Sequence, residues 1–185
     1  MEYSTIFAGF GGQGILFAGQ VLARAAMAEG REVMWIPSYG PEMRGGTASC
    51  TVIVGDDPIG SPVVDRADAA VVLNPPSLAK FESLVAPGGL LVVNTSLIEA
   101  EPSRMDIEVA PIPCTAVAGE AGDDRLVSIV ALGALVARRP WVSPEAVRAA
   151  MAEQLGGERP RVLAADLAAF EAGLRAAGHT EAPVG

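Results

Sequence analysis

Several chemistries are close to ruled out by what this 185-residue sequence lacks. It has two cysteines, Cys50 and Cys114, far apart and without CxxC spacing, so no zinc or iron–sulfur site is expected from this chain alone. Both read as buried thiols. The single histidine, His179, falls in a Gly- and Pro-containing tail, a poor place for a catalyst. Basic residues are scarce, 13 Lys and Arg against 22 Asp and Glu for a net charge of −9, which argues against a nucleic-acid footprint. No apolar stretch approaches the ~18 residues of a membrane span. Nor does a basic start precede an apolar run and a small-residue cleavage site, so the expected location is the cytoplasm. No nucleophile has a nearby base, no metal-ligand cluster occurs, and there is no GxSxG, so no self-contained catalyst is visible.

What remains is apolar and small. Half the residues are hydrophobic but only 5% are aromatic, a composition suited to helices packed closely on a parallel sheet. The length fits one domain, able to bury roughly 70% of its extended surface. We expect that domain over 1–177 and a flexible tail over 178–185. Strands are predicted at Thr5–Ala8, Val33–Ile36 (stopped by Pro37), Cys50–Val54, Ala69–Leu73 and Leu90–Val93, with a weaker one at Ile107–Ala110. Helices are predicted at Gln13–Ala28 and Ser77–Val85, with Pro87-Gly88-Gly89 turning the chain. The last third is helical. Leu126–Ala137 is apolar almost all round, flanked by Asp123 and Asp124 before and Arg138 and Arg139 after, in the sense that complements the helix dipole. Ser143-Pro144 starts the next helix and Gly156-Gly157 ends it. In the last, Leu163, Leu167, Phe170 and Leu174 form one core-facing stripe.

Two loops carry the functional signal. Gly9-Phe10-Gly11-Gly12-Gln13-Gly14 joins the first strand to the first helix, where glycine lets an anion approach the backbone and the helix start offers free N–H groups. Ser38-Tyr39-Gly40-Pro41-Glu42-Met43-Arg44-Gly45-Gly46-Thr47 follows the second strand, and Asn74 and Asn94 follow the two buried apolar runs. In an open parallel sheet ligands bind beyond the carboxyl ends of the strands, so all four clusters are expected on one rim. The glycine spacing fits a dinucleotide fingerprint, yet the second strand ends in Trp35-Ile36-Pro37-Ser38, without the acid that holds a ribose; Glu32 precedes the strand, and Arg44 is a loop away. The glycine loop could also be purely a tight packing turn. Arg44 could clamp a phosphate or carboxylate and Tyr39 stack on a ring, or Glu42 and Arg44 could simply pair with each other.

Together, Gly9–Gly14 and the SYGPEMRGG stretch resemble the gamma subunit of 2-oxoacid:ferredoxin oxidoreductases, the pyruvate, 2-oxoglutarate, 2-oxoisovalerate and indolepyruvate enzymes. The resemblance continues through Asp56–Pro62, Asn74-Pro75-Pro76-Ser77-Leu78 with Lys80-Phe81, Gly88–Asn94 and Leu126–Leu135. It implies a single Rossmann-like or flavodoxin-like α/β domain, a mostly parallel sheet flanked by helices. It implies a component that is not catalytic alone. The complex decarboxylates a 2-oxoacid on thiamine diphosphate, passes electrons through iron–sulfur clusters to ferredoxin and transfers the acyl group to coenzyme A. Thiamine diphosphate and the clusters would sit in alpha, beta and delta partners, with no nucleic acid or membrane involved. Gly9, Gly11, Gly12, Gln13 and Gly14 would form one loop of a shared coenzyme A site. Ser38, Tyr39, Gly40, Glu42, Arg44, Gly45, Gly46 and Thr47 would form the other, with Asn74 and Asn94 on the same rim. The chain departs from the family pattern at Asp123 and Ser128, where asparagine is more usual. The alternative is a free-standing NAD(P)-binding oxidoreductase.

Overall fold

The structure, a computed structural model, describes residues 1–38, 47–157 and 159–178. Its first unit is β1 (Glu2–Phe10), α1 (Ile15–Ala28) and β2 (Glu32–Ser38). The strand β3 (Thr47–Gly55) follows, then β4 (Ala67–Val72), α2 (Pro75–Phe81), β5 (Val85–Asn94) and β6 (Glu108–Ile112). Four helices complete the chain: α3 (Cys114–Ala121), α4 (Val127–Arg138), α5 (Pro144–Leu155) and α6 (Pro160–Gly178).

The six strands form one sheet in the order β2-β3-β1-β4-β5-β6. The pairs β1–β4, β4–β5 and β5–β6 are parallel, and β3 runs against both β1 and β2. The sheet is therefore mostly parallel, as expected, with β3 the single reversed strand. That reversal brings Thr47, at the start of β3, beside Phe10 at the end of β1, and Ser49 beside Ser38 at the end of β2. Pro37 does not stop β2, because an edge strand tolerates a proline that cannot donate to the ladder. The expected turn at Pro87-Gly88-Gly89 lies inside β5. Val85 pairs with Ala67 and Leu90 with Ala69, so the intervening residues bulge instead of reversing the chain.

Period-two alternation divides the core between two faces. Phe7, Val52, Val71 and Val92 point to the side covered by α1 and the C-terminal helices. Ile6, Ala8, Val72 and Leu91 point to the other, covered by Leu78 and Phe81 of α2 and by Ile98. Ten consecutive residues of α4, Val127–Val136, are buried, as its all-round apolar sequence predicts. Its crossing with α6 is set by glycine. A Cβ on Gly133 would overlap the Phe170 carbonyl, and one on Gly173 would overlap the Val130 carbonyl. The buried face of α6 is accordingly Asp166, Ala169, Phe170, Gly173 and Ala177. Leu163, Leu167 and Leu174 pack at its margin, so the predicted leucine stripe is displaced by the smaller residues that a close crossing demands. Arg138 and Arg139, expected to serve the helix dipole, both grip Glu108 of β6, at 2.6 and 2.8 Å.

Candidate functional site

The rim at the carboxyl end of the sheet is built outward from the loop between β1 and α1. A turn closes it, with Gln13 N–H donating to the Phe10 carbonyl at 3.2 Å. The Gln13 side chain folds back, and its Oε1 accepts from Phe10 N–H at 2.6 Å. Gly9 leaves room for that fold, since a Cβ there would stand 2.6 Å from the same oxygen. Gln13 therefore clasps the loop from within.

Gly12 and Gly14 adopt φ of +91° and +75°, a region that suits glycine. Among the described residues nothing lies within 4 Å of where a Gly12 Cβ would be. Gly14 is the N-cap of α1 and offers no side-chain cap. Among the described residues no side chain caps the first N–H groups of the helix, which stand at the positive end of its dipole. The Gly14 carbonyl is pinned by Ala18 N–H at 3.0 Å and by the Ser128 hydroxyl, which donates at 3.1 Å from the buried start of α4. Ser128, noted in the sequence only as a departure, thus ties the loop to the buried helix.

A pocket of about 290 Å³ opens against this loop, lined by the backbone of Gly11, Gly12 and Gly14 and by Phe10, Leu16, Phe17 and Ala48. Sequence reading missed that wall. Its signal was present, because Leu16 and Phe17 lie off the Ile15, Ala18, Leu22, Ala25 face and are still apolar. The pocket combines backbone donors with an apolar lining. None of the described residues lining it is charged.

Ser38 is exposed and Thr47 half-buried, and the strand pairing holds both on this rim. Tyr39, Gly40, Glu42, Arg44, Gly45 and Gly46 lie outside the described residues, as does His179. Asn74 and Asn94 also reach the rim and both are fully buried, and among the described residues Asn74 Nδ2 has no hydrogen-bond partner. Asn74 Oδ1 caps α2 through Ser77 N–H at 2.9 Å. Asn94 Nδ2 donates to the Leu73 carbonyl and Thr115 Oγ1, and its Oδ1 accepts from Ser96 and Thr115 N–H, clipping β4, β5 and α3 together. Through these bonds both asparagines hold the strand ends of the rim in place. Cys50 and Cys114 are buried, and burial pushes both thiols up to about 12, opposite to the thiolate character that metal ligation needs.

The sequence profile described as pyruvate ferredoxin/flavodoxin oxidoreductase matches residues 4–176. The ketoisovalerate oxidoreductase subunit VorA of Methanothermobacter thermautotrophicus is 42% identical over 136 residues, which is 74% of this chain but 28% of that relative's length. The keto/oxoacid ferredoxin oxidoreductase gamma subunit of Geobacter sulfurreducens superposes with a TM-score of 0.82 at 30% identity, covering 95% of this chain and 98% of that one. The 2-oxoglutarate:ferredoxin oxidoreductase of Magnetococcus marinus, solved with 2-oxoglutarate, coenzyme A and succinyl-CoA bound, gives a TM-score of 0.88 at 26% identity. That match covers 97% of this chain and 32% of the larger one. The chain thus corresponds to the whole of one solved gamma subunit and to about a third of a longer enzyme chain.

Proposed function

The chain belongs to the pyruvate ferredoxin/flavodoxin oxidoreductase family, and from that premise we propose that it is the gamma component of a thiamine-diphosphate-dependent 2-oxoacid:ferredoxin oxidoreductase. In that complex it helps bind coenzyme A and close the active site during conversion of a 2-oxoacid to an acyl-CoA with ferredoxin reduction. The observation that carries the reading is the open glycine backbone at the uncapped start of α1, beside an apolar pocket. Backbone N–H groups at a helix start suit a phosphate of coenzyme A, and the Phe10, Leu16 and Phe17 wall suits its apolar portions. Arg44 is proposed as the cationic partner of that phosphate. The coenzyme A seen in the Magnetococcus marinus enzyme supports the same ligand class.

Thiamine diphosphate supplies the carbanion chemistry and iron–sulfur clusters the electron path, and we place both in alpha, beta and delta partners. The burial of both thiols of this chain supports that placement. The test uses the assembled complex. Gly12→Ala and Arg44→Ala are expected to weaken coenzyme A binding about tenfold or more, a loss on the order of 1.4 kcal/mol, while the subunits still co-purify. Unchanged coenzyme A affinity in both variants overturns the ligand assignment.

A further inference from the structure

A second pocket, of about 380 Å³, lies between α6 and the 3₁₀ turn Asp124–Leu126 that leads into α4. Leu126, Val162 and Ala165 give it apolar walls, and Asp123 and Asp166 give it two carboxyl groups. Asp123 is already satisfied: Arg125, 83% exposed, grips it through Nε at 2.9 Å and Nη2 at 2.7 Å. Asp166 differs. It is 2% exposed, it lines the pocket, and among the described residues no group donates a hydrogen bond to it. Arg161 lines the same pocket and is exposed, without bonding Asp166. Among the described residues, the charged groups that line the pocket with Asp166 are Asp123 and Arg125 from the turn and Arg161 from its own helix. Burial first, and the neighbouring Asp123 carboxylate second, push the Asp166 carboxyl up to about 6.

We propose that this pocket receives one lysine or arginine side chain of a partner polypeptide, with its cationic head on Asp166. Apolar walls ending in a carboxylate match a long alkyl stem carrying a charged tip. A metal ion fits less well, because hard cations take six or more oxygen ligands and no cluster of three or more His, Cys, Asp or Glu that could hold one occurs among the described residues. Val162, an apolar residue left 43% exposed on α6, marks a surface suited to being covered. The turn that lines the pocket leads into α4, whose Ser128 bonds Gly14 of the glycine loop. A partner covering the coenzyme A site reaches it, so the proposal rests on the subunit role inferred above.

The test is a carboxyl carbon-13 NMR titration of the full chain with n-butylammonium or n-propylguanidinium chloride, against potassium chloride at equal ionic strength. Expected is a saturable shift of the Asp166 resonance with an alkyl cation, with its midpoint falling at least one pH unit. The shift is lost in Asp166→Asn. Val162→Lys, which places an ammonium one helical turn from Asp166, lowers the midpoint by itself and blocks the probes. A response equal to that in potassium chloride, no saturation, or persistence in Val162→Lys overturns the proposal, whether or not Asp166→Asn folds. None of these readouts uses coenzyme A, so failure here and failure of the coenzyme A assignment are separable.

Discussion

Two groups of glycines do opposite things in this fold. At the rim, Gly12 has a left-handed backbone and, among the described residues, nothing within 4 Å of an added Cβ. At the crossing of α4 and α6, Gly133 and Gly173 remove space, and each would drive a Cβ into the opposing backbone. Composition cannot separate them; the neighbours can. Where a glycine is needed because another part of the chain is too close, its loss costs stability. Where it is needed for conformation beside empty space, its loss leaves most of the fold intact and changes what the surface can bind.

The largest effect is expected at the crossing. Gly173→Ala should destabilise the chain by about 3 kcal/mol or more, because backbone cannot give way as a flexible side chain does. Thermal unfolding checks this, and a loss under about 1 kcal/mol would mean that the two helices can separate freely. Gly14 combines both cases: its φ is +75° and a Cβ would stand 2.6 Å from Ser128 Oγ. Gly14→Ala should cost about 2 kcal/mol in the native background and about 1 kcal/mol less when Ser128→Ala has already removed the hydroxyl. Equal costs in both backgrounds would show that strain alone, with no steric part, governs the site. Gly12→Ala should cost only about 1 kcal/mol of stability, and its main effect should be on coenzyme A. A stability loss as large as that of Gly173→Ala would erase the distinction between the groups.

The sequence reading located the glycine loop and most elements, because apolar alternation and turn residues are local signals. It did not contain α3, a short Cys114–Ala121 helix whose alanine- and glycine-rich run lacks a side-chain cap and a strong apolar face. Nor could periodicity reveal that β3 is reversed, since a strand reads alike in either direction. Only the pairing of Thr47 with Phe10 and of Ser38 with Ser49 shows that the two ends of the second loop lie on the rim of the first. The structural bonds of Asn94 were illegible for a related reason. An asparagine at a strand end is polar in sequence, and its engagement with Leu73, Ser96 and Thr115 depends on chain segments brought together by folding.

The smallest expected effect tests whether the two regions meet along one helix. On α6, Gly173 is locked against α4, while Asp166 faces the pocket near the loop. The Asp166 carboxyl is raised from 3.8 to about 6 on folding, so the folded state holds its proton more tightly than the unfolded chain does. Its contribution is fully present below about 3.8 and is lost as pH rises through about 6. Asp123 shifts the other way, lowered to about 2 by Arg125, so its contribution is present above 3.8 and is lost only as pH falls through about 2. Between pH 5 and 7.5 Asp166 therefore acts without interference from Asp123. The melting temperature of the native chain, measured relative to Asp166→Asn, should fall across that window as pH rises. A difference independent of pH would show that Asp166 is as well solvated as an ordinary surface carboxylate, and the pocket end of α6 would then be no different from its exposed face.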